Sequence, residues 1–160
     1  MGKKARIVVV EDHETTARAL KMYLETQGYV VTVADGVRAA LNLVKDSVFD
    51  LLLCDLSLPD GSGWDLMKQL SAKQPIRGIA FTASDGPGDI ARSRDVGFLE
   101  HLVKGCPAEE VTRAVEQALR VALKPRPAGT ASNCATKRRP DQKLNTRRGR
   151  GASGTQRFRG

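Results

Sequence analysis

The chain is poor in the residues that staple or metallate small proteins. Its three cysteines, Cys54, Cys106 and Cys134, are odd in number and form no CxxC pair, which argues against a disulfide framework and against a zinc site. That usage fits a reducing, cytoplasmic setting. Long apolar runs are missing as well, since nothing approaches the roughly 18 apolar residues of a membrane span. The amino end MGKKARIVVVED meets acids after only four strongly apolar residues, too few for a signal peptide. Gly2 is followed by Arg6 where an acylation signal wants Ser or Thr. No membrane partner is expected. A GxxxxGK stretch is absent too, which removes a phosphate-cradling nucleotide switch.

Acids are scarce in one region alone. Residues 125–160 carry ten Lys and Arg against the single Asp141, whereas residues 1–124 carry 16 against 17 Asp and Glu. The net charge of +8 therefore belongs to the carboxyl-terminal segment. That segment has no apolar periodicity and is rich in Gly, Pro, Ser, Thr and Arg, so it cannot bury enough surface to offset its ordering entropy. We expect a domain over 1–124 and a basic, disordered tail over 125–160. Lys137, Arg138, Arg139, Arg147, Arg148 and Arg150 would suit nonspecific contacts to nucleic-acid phosphates. Phe158 is the tail's one aromatic residue, so base stacking and sequence-specific reading are not expected. A solvated extension is the plainer reading.

Within 1–124, short apolar runs alternate with helical periods. RIVVV (6–10), VVTVA (30–34), DLLLC (50–54), IRGIAFT (76–82) and FLEHLVK (98–104) have the aliphatic, β-branched content of buried parallel strands. Val37, Ala40, Leu41 and Val44 follow helical spacing, and Val111, Ala114, Val115, Ala118, Leu119 and Ala122 extend it over three turns. Gly28 ends a first helix over about 14–27, and Pro107 stands where the last can begin. Five such β/α units predict an α/β fold, a doubly wound (βα)5 three-layer sandwich with a five-stranded parallel sheet. Sites in such folds lie at the carboxyl ends of the strands.

Several acids stand at those ends. Glu11 and Asp12 follow the first strand and Asp55 the third, while Thr82 closes the fourth and Lys104 the fifth. Carboxylates brought within about 5 Å repel by roughly 3 kcal/mol per pair at an effective dielectric near 20. Lys104 and an oxygen-ligated Mg²⁺ are the compensating cations the pattern offers. Each residue also has a plainer role. Asp12 precedes a helix start and could be its N-cap. Pro59, Asp60 and Gly61 read as turn chemistry, Thr82 as strand propensity and Lys104 as a solvated strand end.

Taken together, VVVEDHE, DLLLCDLSLPDGSGWDLM, GIAFTAS and GFLEHLVKG resemble the successive motifs of the bacterial response-regulator receiver domain, the CheY-like superfamily, over about residues 5–122. The resemblance implies a flavodoxin-like receiver fold and makes Asp55 the phosphoacceptor. Asp12 would be a direct Mg²⁺ ligand, Glu11 a water-mediated one, and the backbone carbonyl of Ser57 a further ligand. Thr82 and Lys104 would contact the phosphoryl oxygens, and Ala83 would leave them room. His101 takes the switch position that is usually Tyr or Phe, where it could follow Thr82. The family usually places Pro after the active-site lysine; here Gly105 stands there, and a trans peptide is expected.

The function so implied is a phosphoacceptor switch in a two-component phosphorelay. It would assist its own phosphorylation and dephosphorylation rather than act as an enzyme on a separate substrate. Its partners would be a sensor histidine kinase or histidine phosphotransfer protein and a downstream protein. A detached receiver of a hybrid kinase is the alternative within this class, and a nonspecific nucleic-acid-binding protein acting through the tail is the alternative outside it. A haloacid-dehalogenase-type hydrolase would want a second acid two residues after the nucleophile, where Ser57 stands. Nothing in residues 125–160 resembles a winged helix or helix-turn-helix, so direct transcription control is not expected.

Overall fold

The structure is a computed structural model that describes residue 2 and residues 4–123. The tail expected over 125–160, and the boundary at Lys124 and Pro125, lie outside the described residues.

Five parallel strands form the central sheet: β1 (Arg6–Val10), β2 (Val30–Ala34), β3 (Leu51–Cys54), β6 (Gly78–Thr82) and β7 (Glu100–Val103), in the order β2-β1-β3-β6-β7. The order reverses direction between β1 and β3, the switch point of a flavodoxin-like doubly wound sheet. Between the strands run helices α1 (Glu14–Thr26), α2 (Val37–Asp46), α3 (Gly63–Lys73), α4 (Pro87–Val96) and α5 (Ala108–Arg120). The expected strands are all present, though β3 begins at Leu51 and β6 at Gly78, later than the expected 50 and 76, and β7 is shorter than 98–104 because Phe98 leaves the ladder to pack under the sheet. An antiparallel hairpin of β4 (Ser57–Leu58) and β5 (Gly61–Ser62) adds an element that the five-unit pattern did not contain.

Strand alternation divides the core in two. Ile7, Val9, Leu51, Leu53, Ile79 and Phe81 face one side, where Leu20 and Leu24 of α1 and Val111, Ala114, Val115 and Ala118 of α5 cover them. Val8, Val10, Leu52, Cys54 and Ala80 face the other, under Val37 and Ala40 of α2 and Leu66, Met67 and Leu70 of α3. Both faces are covered, so the central strands read as unbroken apolar runs. Burying each large aliphatic side chain stabilises the fold by about 1.5–3 kcal/mol. Among the described residues, no helix is long and apolar enough to cross a membrane.

Candidate functional site

Register alone delivers the acids to one edge. Val10 pairs with Cys54, and Cys54 with Ala80, so the residues that follow leave the sheet side by side. The ladder continues one step past the strands: Glu11 N–H donates to Ala34 O at 3.0 Å, Asp55 N–H to Val10 O at 2.9 Å and Lys104 N–H to Thr82 O at 2.7 Å. Each functional side chain therefore starts from a backbone atom fixed by the sheet. Gly63 secures the acceptor from below, since a Cβ there would stand 2.2 Å from Asp55 O. No side chain larger than hydrogen fits.

Lys104 bridges the two buried acids. Its Nζ lies 2.7 Å from Asp55 Oδ2 and 2.6 Å from Glu11 Oε2. Burial alone would lower the Lys104 ammonium, but the hydrogen bond to Asp55 and the close carboxylates of Asp55 and Glu11 outweigh it and hold the group above the usual lysine range. Asp55 Oδ1 accepts from Ser57 N–H at 3.2 Å, and Glu11 Oε1 from His13 N–H at 3.1 Å. Asp12 remains exposed. It does not cap α1: the N-cap residue is His13, and no side chain bonds the first amides. Ligand oxygens of Glu11, Asp12 and Asp55 lie within 4.8 Å of one another.

These donors fit a hard divalent cation. All are oxygens, and three carboxylates against one ammonium leave two formal negative charges. Glu11 Oε2 is buried and, despite its ion contact with Lys104, accepts no aligned hydrogen bond. Cys54, directly behind, contributes no ligand. Burial, then the charges of Asp55 and Glu11, push its thiol far up, so it stays neutral and donates to Asp55 O at 2.9 Å.

Asp55, Ser57, Thr82, Ala83, Ser84 and Asp85 line a cleft of about 440 Å³. Thr82 Oγ1 accepts from Ser84 N–H at 3.3 Å, which ties the threonine to the loop between β6 and α4. His101 stands farther out, on β7. Its Nε2 lies 2.9 Å from Ser84 O and its Nδ1 3.2 Å from Ser93 Oγ, while Trp64 Nε1 lies 3.0 Å from the same oxygen. An indole N–H can only donate and a carbonyl only accept. Trp64 N–H thus donates to Ser93 Oγ and His101 Nε2–H to Ser84 O, while Ser93 Oγ and His101 Nδ1 pair with each other between them. The guanidinium of Arg92 stacks over the Trp64 ring at 4.1 Å.

The residues expected to cluster are therefore brought together, with His101 joined to the cleft through Ser84 and not through Thr82 itself. Gly105 follows Lys104 with φ +96°, and no peptide bond among the described residues is cis. Sequence reasoning missed Asp60, whose place in a turn conceals a second attachment. Its Oδ1 accepts from Val37 N–H at 2.8 Å and its Oδ2 from Arg38 N–H at 2.9 Å. Ser93, the side-chain partner of His101, and Trp64, which donates to the same hydroxyl, were also missed, because they lie on different helices.

Residues 7–116 match the family described as the response regulator receiver domain. The uncharacterised transcriptional regulatory protein YkoG of Bacillus subtilis is 31% identical over 121 residues, 74% of this chain and 52% of that protein. An uncharacterised 14.6 kDa protein of Leptolyngbya boryana is 32% identical over 114 residues, 69% of this chain and 87% of its own length. Among solved structures, the non-phosphorylated receiver domain of HemR from Leptospira biflexa is similar with a TM-score of 0.71 at 32% identity, covering 76% of this chain and 98% of that one. The chain spans about half the length of YkoG and 27% of AlgB from Pseudomonas aeruginosa.

Proposed function

The chain belongs to the response regulator receiver domain family, and from that premise we propose that it is a phosphoacceptor switch in which Asp55 takes a phosphoryl group from a histidine kinase or histidine phosphotransfer protein. The observation that carries this reading is the placement of Asp55. Its carboxylate is held by Lys104 Nζ at 2.7 Å and Ser57 N–H at 3.2 Å, at a cleft also lined by Thr82 and Ala83.

An Asp55 oxygen would attack the phosphorus, the bond from phosphorus to the donor would break, and the donor would leave with that electron pair. Positioning and charge neutralisation supply most of the catalysis of such a transfer. Asp12, Glu11, Asp55 and the Ser57 carbonyl would hold Mg²⁺, which neutralises charge on the transferring oxygens. Lys104 and Thr82 would take up the remaining charge. The product carries roughly −1.5 to −2 charge beside the β6–α4 loop where the Asp55 carboxylate carried one, and His101 would pass that change outward through Ser84. We place the receiver over 1–124 in a cytoplasmic setting, with a downstream protein as the partner that reads the switch.

The test is labelling by acetyl phosphate in saturating Mg²⁺. Asp55→Asn should abolish it, while Asp65→Asn, an exposed acid on α3, should label as wild type does. Equal labelling of Asp55→Asn and wild type would sink the assignment.

A further inference from the structure

We infer that Asp60 is a positioning residue for the Asp55 site: by docking on the first amides of α2, it sets where the 57–62 hairpin holds the Ser57 backbone. This rests on the phosphoacceptor reading above and deepens it.

The start of α2 supplies no cap of its own. Its N-cap residue is Gly36, with no side-chain bond to the first amides, although those amides need an acceptor. Asp60 provides one from 22 to 23 residues away, spanning Val37 and Arg38 with its two oxygens. The carboxyl is held below its usual range chiefly by the Arg38 and Val37 amides. Arg38 Nε, at 3.8 Å on an exposed side chain, is a lesser contact. Gly36 makes the approach possible: its backbone is extended, with φ −178°, but a Cβ would stand 2.6 Å from Asp60 Oδ1.

What the clamp holds is the hairpin. Only Ser57 with Ser62 and Leu58 with Gly61 pair across it, and a ribbon that short has little stability of its own. Its orientation is set by its attachments. At the open end, Ser57 N–H bonds Asp55 Oδ1 and Ser62 Oγ accepts from Trp64 N–H at 3.1 Å, joining the hairpin to the acceptor and to α3. At the turn, Asp60 joins it to α2. Without the second attachment the same oxygens remain but must be ordered by the metal itself, so Mg²⁺ affinity should fall while transfer at saturation persists.

The experiment uses the full chain as wild type, Asp60→Asn and Gly36→Ala. Amide exchange at Val37 and Arg38, read without Mg²⁺ or phosphodonor, should accelerate in both variants. Mg²⁺ titrated against backbone amide resonances and against the rate of acetyl phosphate labelling should show a half-saturating concentration roughly three- to tenfold higher, with the saturated rate within about twofold, the scale of losing a helix cap. Gly36→Ala keeps the carboxylate and displaces it, so it decides the matter should Asp60→Asn fail to fold. Unchanged Val37 and Arg38 exchange, an unchanged Mg²⁺ midpoint, or a uniform loss of labelling at every Mg²⁺ concentration each overturns the inference. A wild type that neither binds Mg²⁺ nor takes label overturns the phosphoacceptor reading instead.

Discussion

The two helices that flank β7 are held by different forces. Helix α5 buries Val111, Ala114, Val115 and Ala118, whereas α4 buries one residue, Ser93, and that one is polar. The hydroxyl of Ser93 is shared between Trp64 and His101, and at the helix start Ser84 Oγ donates to Asp89 Oδ2. Apolar burial resists displacement because every shift exposes surface to water. Hydrogen bonds to partly exposed partners can be exchanged for water at modest net cost. The segment adjoining the Thr82–Asp85 cleft is thus the one that a local change of charge can move most cheaply, while α5 stays with the sheet.

Breaking that contrast should cost most on the α5 side. Val115 is fully buried, so Val115→Ala removes two methyl-sized groups from a packed core and should destabilise by about 2–3 kcal/mol. Val96, half-buried at the end of α4, should lose less than about 1 kcal/mol on the same substitution. Urea unfolding of both variants measures the difference; equal losses would mean that α4 is packed as tightly as α5.

The contrast was only half legible in the sequence. The strands announced themselves because both faces of the sheet are covered, and the acids at their ends followed from parallel topology. Helix α5 was equally plain, because its apolar spacing is long and regular. The contacts of α4 were hidden, since Ser93, Trp64 and His101 lie on three different elements and no local pattern marks a serine as a hub. Asp60 was concealed for a similar reason. Pro59 and Gly61 around it account fully for a turn, so nothing nearby points to helix amides 22 residues away. Non-local hydrogen bonds leave no periodicity to read.

A second measurement sharpens the comparison from the centre of the site. Burial opposes the charge of Lys104, but Asp55 and Glu11 raise its folded pKa above the ordinary 10.5. A group whose folded pKa is raised contributes stability that is complete below its unfolded pKa and is lost as pH rises through the folded value. Wild-type unfolding free energy should therefore fall from about pH 10.5 upward, and Lys104→Met should show a shallower alkaline limb than wild type. Parallel limbs would mean that the two acids do not hold the ammonium. The effect should be smaller than a core cavity, because Lys104 remains a quarter exposed and water screens the pair.

The smallest energetic effect should come from Ser93→Ala, although it removes the one residue that α4 buries. The hydroxyl accepts from Trp64 Nε1–H and pairs with His101 Nδ1, so its loss leaves both without that partner. Trp64 and His101 are both half-exposed, and water can replace the missing partner for each. We expect a loss of about 1 kcal/mol or less. Trp64 is the chain's one tryptophan, and its emission should shift to the red as the indole N–H turns to solvent. Asp55 labelling should persist, since none of the groups around its carboxylate is touched. If Ser93→Ala instead costs as much as Val115→Ala, the hydrogen-bonded hub is as strong an anchor as an apolar core, and α4 is no easier to move than α5.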